Sequence, residues 1–453
     1  MISSFTPLVS EIAAFRPQHR CGWVEAVGPA SLEIRGLGPA ARIGDLVEVD
    51  LPSGSAAGEV VALSRDGARI MTYASCDGVG LGHLTRLRRL EGPRPSDAWV
   101  GRILDAFGAP LDGGPLARGP NEVDVKAAPP PAAGRAPLGP RLRTGLAALD
   151  TVLPLVTGQR IGIFAGSGVG KSSLLARLAL GVEADIVVFA LIGERGRELR
   201  HFTDRILGPK GMARSVVVTA TSDQSPLLKR RAAWTAMSVA EYFRDQGMNV
   251  LFLADSITRF AEAHREVALT AGEAPSLRAF PPSTSNMIAS FAERAGPGPA
   301  GSGAITGIFT VLVAGSDMEE PVADITRGLL DGHIILSRAI AERGRFPAID
   351  VRRSVSRALP DAATEEENAV IEAVRRHVGT YEASAPMIQA GLYVAGSDPA
   401  IDAAIRVWPE LDRFFGSANP GGPDRAFDAL RGILGQTEGS KPRETRPARA
   451  RKT

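Results

Sequence analysis

The stretch RIGIFAGSGVGKSSLLARLAL, residues 160–180, decides the fold. Its first six residues are an apolar run of strand type, GSGVG is a glycine-rich turn, and KSSLLARLAL opens a helix. A strand that turns through glycines into a helix N-terminus is a cradle for phosphate. The glycines let backbone N–H groups close around phosphate oxygens, and the helix end adds the positive pole of its dipole. Ala165, Gly166, Ser167, Gly168, Val169, Gly170 and Ser173 would then surround the phosphates of a nucleotide. Lys171 would reach the terminal phosphates, and the Ser172 hydroxyl would ligate magnesium. Ala165 stands where such loops usually begin with glycine. Its methyl group forbids positive φ there and leaves phosphate binding open.

Outward from the loop, the same alternation continues. RIGIFA, DIVVFALIG, SVVVTA, NVLFLAD and GIFTVLVAG are near-continuous apolar strands with helical patterns between them. Such strands predict an α/β core, a parallel sheet covered by helices on both faces. The C-terminal ends of parallel strands converge on the ligand crevice. NVLFLAD ends there in Asp255, placed to hold magnesium through its water shell. DIVVFALIG leads into Glu194, which could orient and polarise an attacking water, with Arg195 beside it. Glu194, Arg195, Arg197 and Glu198 could equally form a surface ion-pair cluster, and spacing alone does not decide between the two.

The remaining sequence bounds the rest of the molecule. A chain of 453 residues suggests two or three domains, and 44% hydrophobic with 23% charged residues suits a water-exposed globular protein. A net charge of +2 argues against a strongly basic nucleic-acid binder. Two cysteines are too few for a disulfide framework, and no histidine has metal-ligand spacing. The apolar run over residues 186–193 is far short of the roughly 20 residues that cross a bilayer. Glu11, Arg16 and Pro17 interrupt any secretory leader, so a cytoplasmic protein is expected.

Residues 1–20 carry one apolar stripe, Phe5, Leu8, Val9, Ile12 and Phe15, on a helix that packs on its own domain or binds a partner. Over 21–90, GWVEAV, SLEIRGL, DLVEVDL, AGEVVALS and ARIMTYA recur like the strands of a small β-barrel. The phosphate-loop domain is expected over 91–360, with a seven-proline extended connector at 113–140. Residues 361–435 read as helical only, and 436–453 as a disordered basic tail.

AGSGVGKSS, LIGERGREL, LADSITRFA, LLDGHIILSRAIAERGRFPAID and SVSRALP occur in this order. Together they resemble the catalytic ATPases related to the rotary ATP synthase β subunit. Within that group the chain is most similar to the flagellum-specific ATPase of the type III export apparatus, over residues 20–435. The resemblance implies a RecA-like core, a small barrel before it and a helical domain after it. It also implies ATP and Mg2+ as ligands, Lys171 and Ser172 on phosphates and magnesium, Asp255 as the second-strand carboxylate and Glu194 as the catalytic glutamate. Phe346 falls where the family stacks an aromatic on adenine, although the residues alone suggest a buried core phenylalanine. Arg357 aligns with an arginine finger that reaches the nucleotide from an adjacent subunit, which implies a ring, a homo-hexamer; Arg195 and Arg259 would support it.

The partners implied are a stator-like regulatory protein at the N-terminus, and a central stalk protein, export chaperones and the membrane export gate at the C-terminal domain. Alanine at position 165 is common in this family. Ser316 replaces an aspartate of many relatives, with no consequence assigned. No acidic cluster like the rotor-contacting one of ATP synthase β subunits occurs. The ATPase of a virulence type III secretion system shares every catalytic feature. A hexameric RNA translocase also joins a barrel to such a core, but the barrel segment here offers only Trp23 and Tyr73 as isolated aromatics.

Overall fold

The computed structural model describes residues 20–52, 54–313 and 318–435. The helix expected over residues 1–20, apart from Arg20, lies outside them, as do Ser316 and the basic tail.

Six antiparallel strands, β1 (Arg20–Val27), β2 (Ser31–Arg35), β3 (Leu46–Leu51), β4 (Gly54–Leu63), β5 (Gly67–Thr72) and β6 (Leu84–Arg88), close into a barrel in the order β1-β2-β5-β4-β3-β6. Inward positions such as Val24, Ile34, Val47, Val60 and Ile70 fill it. The apolar runs announce five strands. The sixth, LTRLR, is mostly polar and becomes a strand by closing the ring, pairing Leu87 with Arg20 of β1 and Thr85 with Val49 of β3.

The second body is a nine-stranded sheet. Its strands are β7 (Ile103–Leu104), β8 (Arg160–Ala165), β9 (Ile186–Glu194), β10 (Ser215–Thr221), β11 (Val250–Asp255), β12 (Gly296–Pro297), β13 (Ala304–Leu312), β14 (Gly332–Leu336) and β15 (Ile349–Ser356). The order is β15-β14-β8-β13-β11-β9-β10-β7, with β12 paired to β13. All five expected strands are present and mutually parallel. β15 and β12 run antiparallel to their neighbours.

Along β9, Val187, Phe189 and Leu191 enter one core while Val188, Ala190 and Ile192 enter the other. Burial on both faces is why the strand is apolar throughout rather than alternating. Helix α1 (Lys171–Gly181) covers the first face. Helices α2 (Pro226–Asp245), α3 (Ile257–Thr270), α4 (Ser283–Ala292) and α5 (Pro321–Leu329) cover the second. Phe243, Phe252, Phe260, Phe291 and Phe309 are fully buried on that second face.

Three helices complete the described residues, α6 (Glu365–Gln389), α7 (Pro399–Gly416) and α8 (Gly422–Gly435). Val374, Val407, Leu411, Phe415 and Leu430 carry them onto the first core. The proline-rich connector has no strand and only a short turn of helix at Ala132–Gly134. It is nevertheless held: the Ala117 carbonyl accepts from Trp99 Nε1 at 3.0 Å, and that of Val125 from Arg294 Nη1 at 2.6 Å. Among the described residues no helix is long and apolar enough to cross a membrane.

Candidate active site

The glycine-rich loop lies at the C-terminal end of β8, in the middle of the sheet. Ala165 is the last residue of that strand, buried and paired with Leu312 and Leu336, and its φ is not positive. The missing glycine therefore costs nothing here. Positive φ is required three and five residues later, at Gly168 (77°) and Gly170 (89°), where a side chain would be strained. Ser167 and Gly168 form the exposed crest, while Val169 turns into the core and pins the loop from beneath. The Gly170 carbonyl accepts from Leu174 N at 3.0 Å, so α1 starts at once, with Lys171, Ser172 and Ser173 in its first turn.

Two carboxylates meet the lysine. Asp255, the last residue of β11, is buried and bonded directly to the Lys171 ammonium. Glu194, the last residue of β9, places its carboxylate 3.7 Å from Lys171 Nζ. Burial, then the nearby Asp255 charge, push the Glu194 carboxyl up to about 7, with Lys171 acting in the opposite direction. The ion-pair alternative is thus partly realised, but by its neighbour: Arg195 is exposed and pairs with Glu198 at 3.6 Å, while Glu194 turns inward.

Gly193 makes that turn with φ 72°, and a side chain there would press on the Arg259 chain at 3.3 Å. Arg259, from the first turn of α3, pairs with Glu262 at 2.8 Å beside the same cavity. That cavity, about 920 Å³, is lined by the loop, Lys171, Ser172, Glu194, Arg195 and Arg259. Its size suits a ligand larger than free phosphate.

Sequence reasoning missed Thr310. Buried in β13, it donates its hydroxyl to Asp255 Oδ1 at 2.7 Å and fixes that carboxylate from behind. The only signal was a threonine inside the apolar run GIFTVLV. Phe346 is half exposed rather than buried, and its ring edge stands 3.2 Å from where a side chain on Gly170 would begin. Arg357 lies elsewhere. Its N–H donates to the Asp331 carbonyl at 2.9 Å, level with Arg160 at the start of β8. Five residues of strand, roughly 16 Å, separate that level from the loop of the same chain.

The donor set also bears on magnesium. Ser172 and Asp255 offer one hydroxyl and one carboxylate, and among the described residues no group of three His, Cys, Asp or Glu gathers to cage a metal. That sparse oxygen set fits an ion that keeps waters and takes its other ligands from phosphate.

A strand, a glycine loop with its lysine, and two carboxylates at neighbouring strand ends define a P-loop nucleoside-triphosphate hydrolase. Residues 145–356 match the ATP synthase alpha/beta family, nucleotide-binding domain, and residues 363–416 match the T3SS EscN ATPase C-terminal domain. A flagellum-specific ATP synthase of Caulobacter vibrioides is 42% identical over 95% of this chain and 98% of its own. The assembled ATPase EscN of the enteropathogenic E. coli type III secretion system has a TM-score of 0.85 at 36% identity, covering 91% of this chain and all of that one. EscN in complex with its central stalk EscO gives 0.81 at 37% identity, covering 91% of this chain and all of that one. The chain belongs to the ATP synthase alpha/beta family, in its flagellum-specific ATPase branch.

Proposed function

We propose that this chain is the ATP-hydrolysing motor of a flagellar type III export apparatus, working in the cytoplasm as a homo-hexamer peripheral to the membrane export gate. It promotes release, unfolding and delivery of export substrates. The observation that carries the catalytic part is the Glu194 carboxylate 3.7 Å from Lys171 Nζ, inside the loop cavity.

In this reading the loop N–H groups and Lys171 bind the phosphates of ATP, and Phe346 stacks on the adenine. Ser172 and Asp255 hold magnesium, which when bound offsets charge on the phosphates. Glu194 accepts a hydrogen bond from the attacking water and turns its lone pair towards the terminal phosphorus, with Arg195 and Arg259 as supporting charges. Arg357 of a neighbouring copy donates to the oxygens of the transferring phosphoryl group. Its distance from the loop of its own chain supports service in trans, as does the existence of EscN as an assembly. The EscN complex with its stalk supports a central stalk partner at the helical C-terminal domain. The N-terminal segment would bind the stator-like regulator, and chaperones would dock at the C-terminal face.

A virulence system remains the second reading, because EscN matches over 91% of the chain. Flagellar export is preferred because flagellum-specific relatives predominate among the curated matches, one at 42% over 95% of this chain and another at 41% over 90%, although an SPI-2 type 3 secretion system ATPase of Salmonella typhimurium stands near them at 40% over 92%. RNA translocation finds little support in the barrel: Tyr73 packs edge-on against Phe107 and donates its hydroxyl to Glu59 at 2.7 Å, which leaves the exposed Trp23 as a lone aromatic of the two. A deletion strain should lose filaments and swimming while retaining secretion of host-directed proteins; the reverse phenotype overturns the flagellar reading. For the mechanism, Lys171→Ala and Arg357→Ala proteins should each be inactive alone and regain ATPase activity when mixed into common rings.

A further inference from the structure

We propose that Gln159, Arg160 and Asp331 are positioning residues for Arg357, a strut that aims its guanidinium at the site of the neighbouring copy. This rests on the reading of Arg357 as a finger in trans.

Arg357 is the first residue beyond β15, and its exposed side chain makes no hydrogen bond or ion pair within the chain among the described residues. A guanidinium that must meet a phosphoryl group on another molecule is then aimed by its backbone alone. That backbone is fixed by one carbonyl. Asp331 O accepts from Arg357 N at 2.9 Å and from Gln159 Nε2 at 3.1 Å. Gln159, fully buried, also donates from Nε2 to Ser356 Oγ at 3.2 Å, and its Oε1 accepts from Val156 N at 3.0 Å. Ser356 in turn donates to the Pro154 carbonyl at 2.6 Å. Both residues of the Ser356–Arg357 peptide are thus tied to the same glutamine–aspartate pair.

Asp331 itself is tied to Arg160 by four hydrogen bonds. Its carboxylate accepts from Arg160 N at 2.9 Å, Arg160 Nε at 3.1 Å and Arg160 Nη2 at 3.1 Å. Its own N–H donates to the Arg160 carbonyl at 2.8 Å. Arg160 is further paired with Glu293. The fork geometry of guanidinium on carboxylate fixes direction as well as distance. Nothing in this arrangement touches the loop cavity of its own chain, whose lining includes none of these residues. The strut holds the backbone that carries Arg357.

The test places substitutions in mixed rings of the full-length chain. Arg357→Ala protein supplies intact loops, and Lys171→Ala protein supplies intact fingers. Asp331→Asn or Gln159→Met added to the finger donor should lower the kcat of the mixture about tenfold to a hundredfold, with KM for ATP unchanged. A misaimed reacting group costs that much for a displacement of about 1 Å. The same changes added to the loop donor, which has no finger to aim, should leave the mixture as it was. Asp331→Asn preserves size and the carbonyl, and melting and ring assembly of each variant check that it folds. Equal losses from either donor, or no loss from the finger donor, overturn the proposal. If the starting mixture of Arg357→Ala and Lys171→Ala has no activity in rings that do form, the finger reading itself falls and takes the strut with it.

Discussion

The Glu194 carboxylate lies 3.7 Å from the Lys171 ammonium, yet it is Asp255 that bonds that ammonium directly. One cation is shared by two acids with different surroundings. Asp255 is held from behind by Thr310 and sits under the loop. Glu194 is a quarter exposed, faces the cavity and has its carboxyl raised to about 7. Only Glu194 has a carboxyl raised towards neutral pH, and that suits it to the proton-handling role proposed for it.

The raised carboxyl has a stability consequence. Glu194 moves from an ordinary 4.5 to about 7 in the folded protein, so its favourable contribution is complete below pH 4.5 and is lost as pH rises through 7. Glu194→Gln removes the titration. In nucleotide-free protein with EDTA, the variant should match the parent near pH 4.5 and be more stable by about 1–2 kcal/mol at pH 8, after allowing for partial exposure. Denaturant melts at the two pH values measure this. A constant difference across pH would rule it out. In the same variant, ATPase turnover should fall by roughly 10²–10⁴ with nucleotide binding retained.

Phe346 invites a different split. Half its surface is exposed and it packs at the loop by Gly170, so its removal should barely change stability. Phe346→Ala should raise KM for ATP about 5- to 150-fold, the worth of an aromatic–base stack of about 1–3 kcal/mol, and leave kcat nearly unaltered. Phe346→Tyr should keep most of the affinity. A fall in kcat at constant KM would place the ring outside the base site.

How far the sequence reaches depends on what each residue faces. The loop was legible from its glycines, and Asp255 as a carboxylate closing an apolar strand, whereas spacing alone left Glu194 open between the crevice and a surface ion-pair cluster. β15 was harder to read: it is an edge strand, with Arg352 and Arg353 facing outward between buried Val351 and Ser354, and Val355 between Ser354 and Ser356. β6 was hidden by its outward arginines, and β7 is too short for any period. Thr310 was silent because its role is visible only once β11 and β13 lie side by side. Arg357 acquired meaning from family resemblance alone. Its spatial separation from the loop appears only in the register of β14 against β8 and β15.

The connector makes the last prediction. Arg294 is almost fully buried, and Glu241 accepts from its Nε at 2.9 Å while the other guanidinium nitrogens reach Ser238 Oγ and the Val125 carbonyl. Glu241→Ala strands a charge away from water and should cost about 3–5 kcal/mol. Replacing both partners with apolar residues, Glu241→Leu with Arg294→Met, removes the charge and should recover most of that loss, as buried pairs are often no better than packed hydrocarbon. Recovery should nonetheless be incomplete in one place. Val125 loses its donor, so residues 113–140 should become more open to protease than in the parent while the global unfolding midpoint returns. Denaturant unfolding followed by mapping of limited-proteolysis cuts separates the two effects. A double variant as unstable as Glu241→Ala alone would mean that the pair holds the fold by its hydrogen bonds, and that the stranded charge was never the main cost.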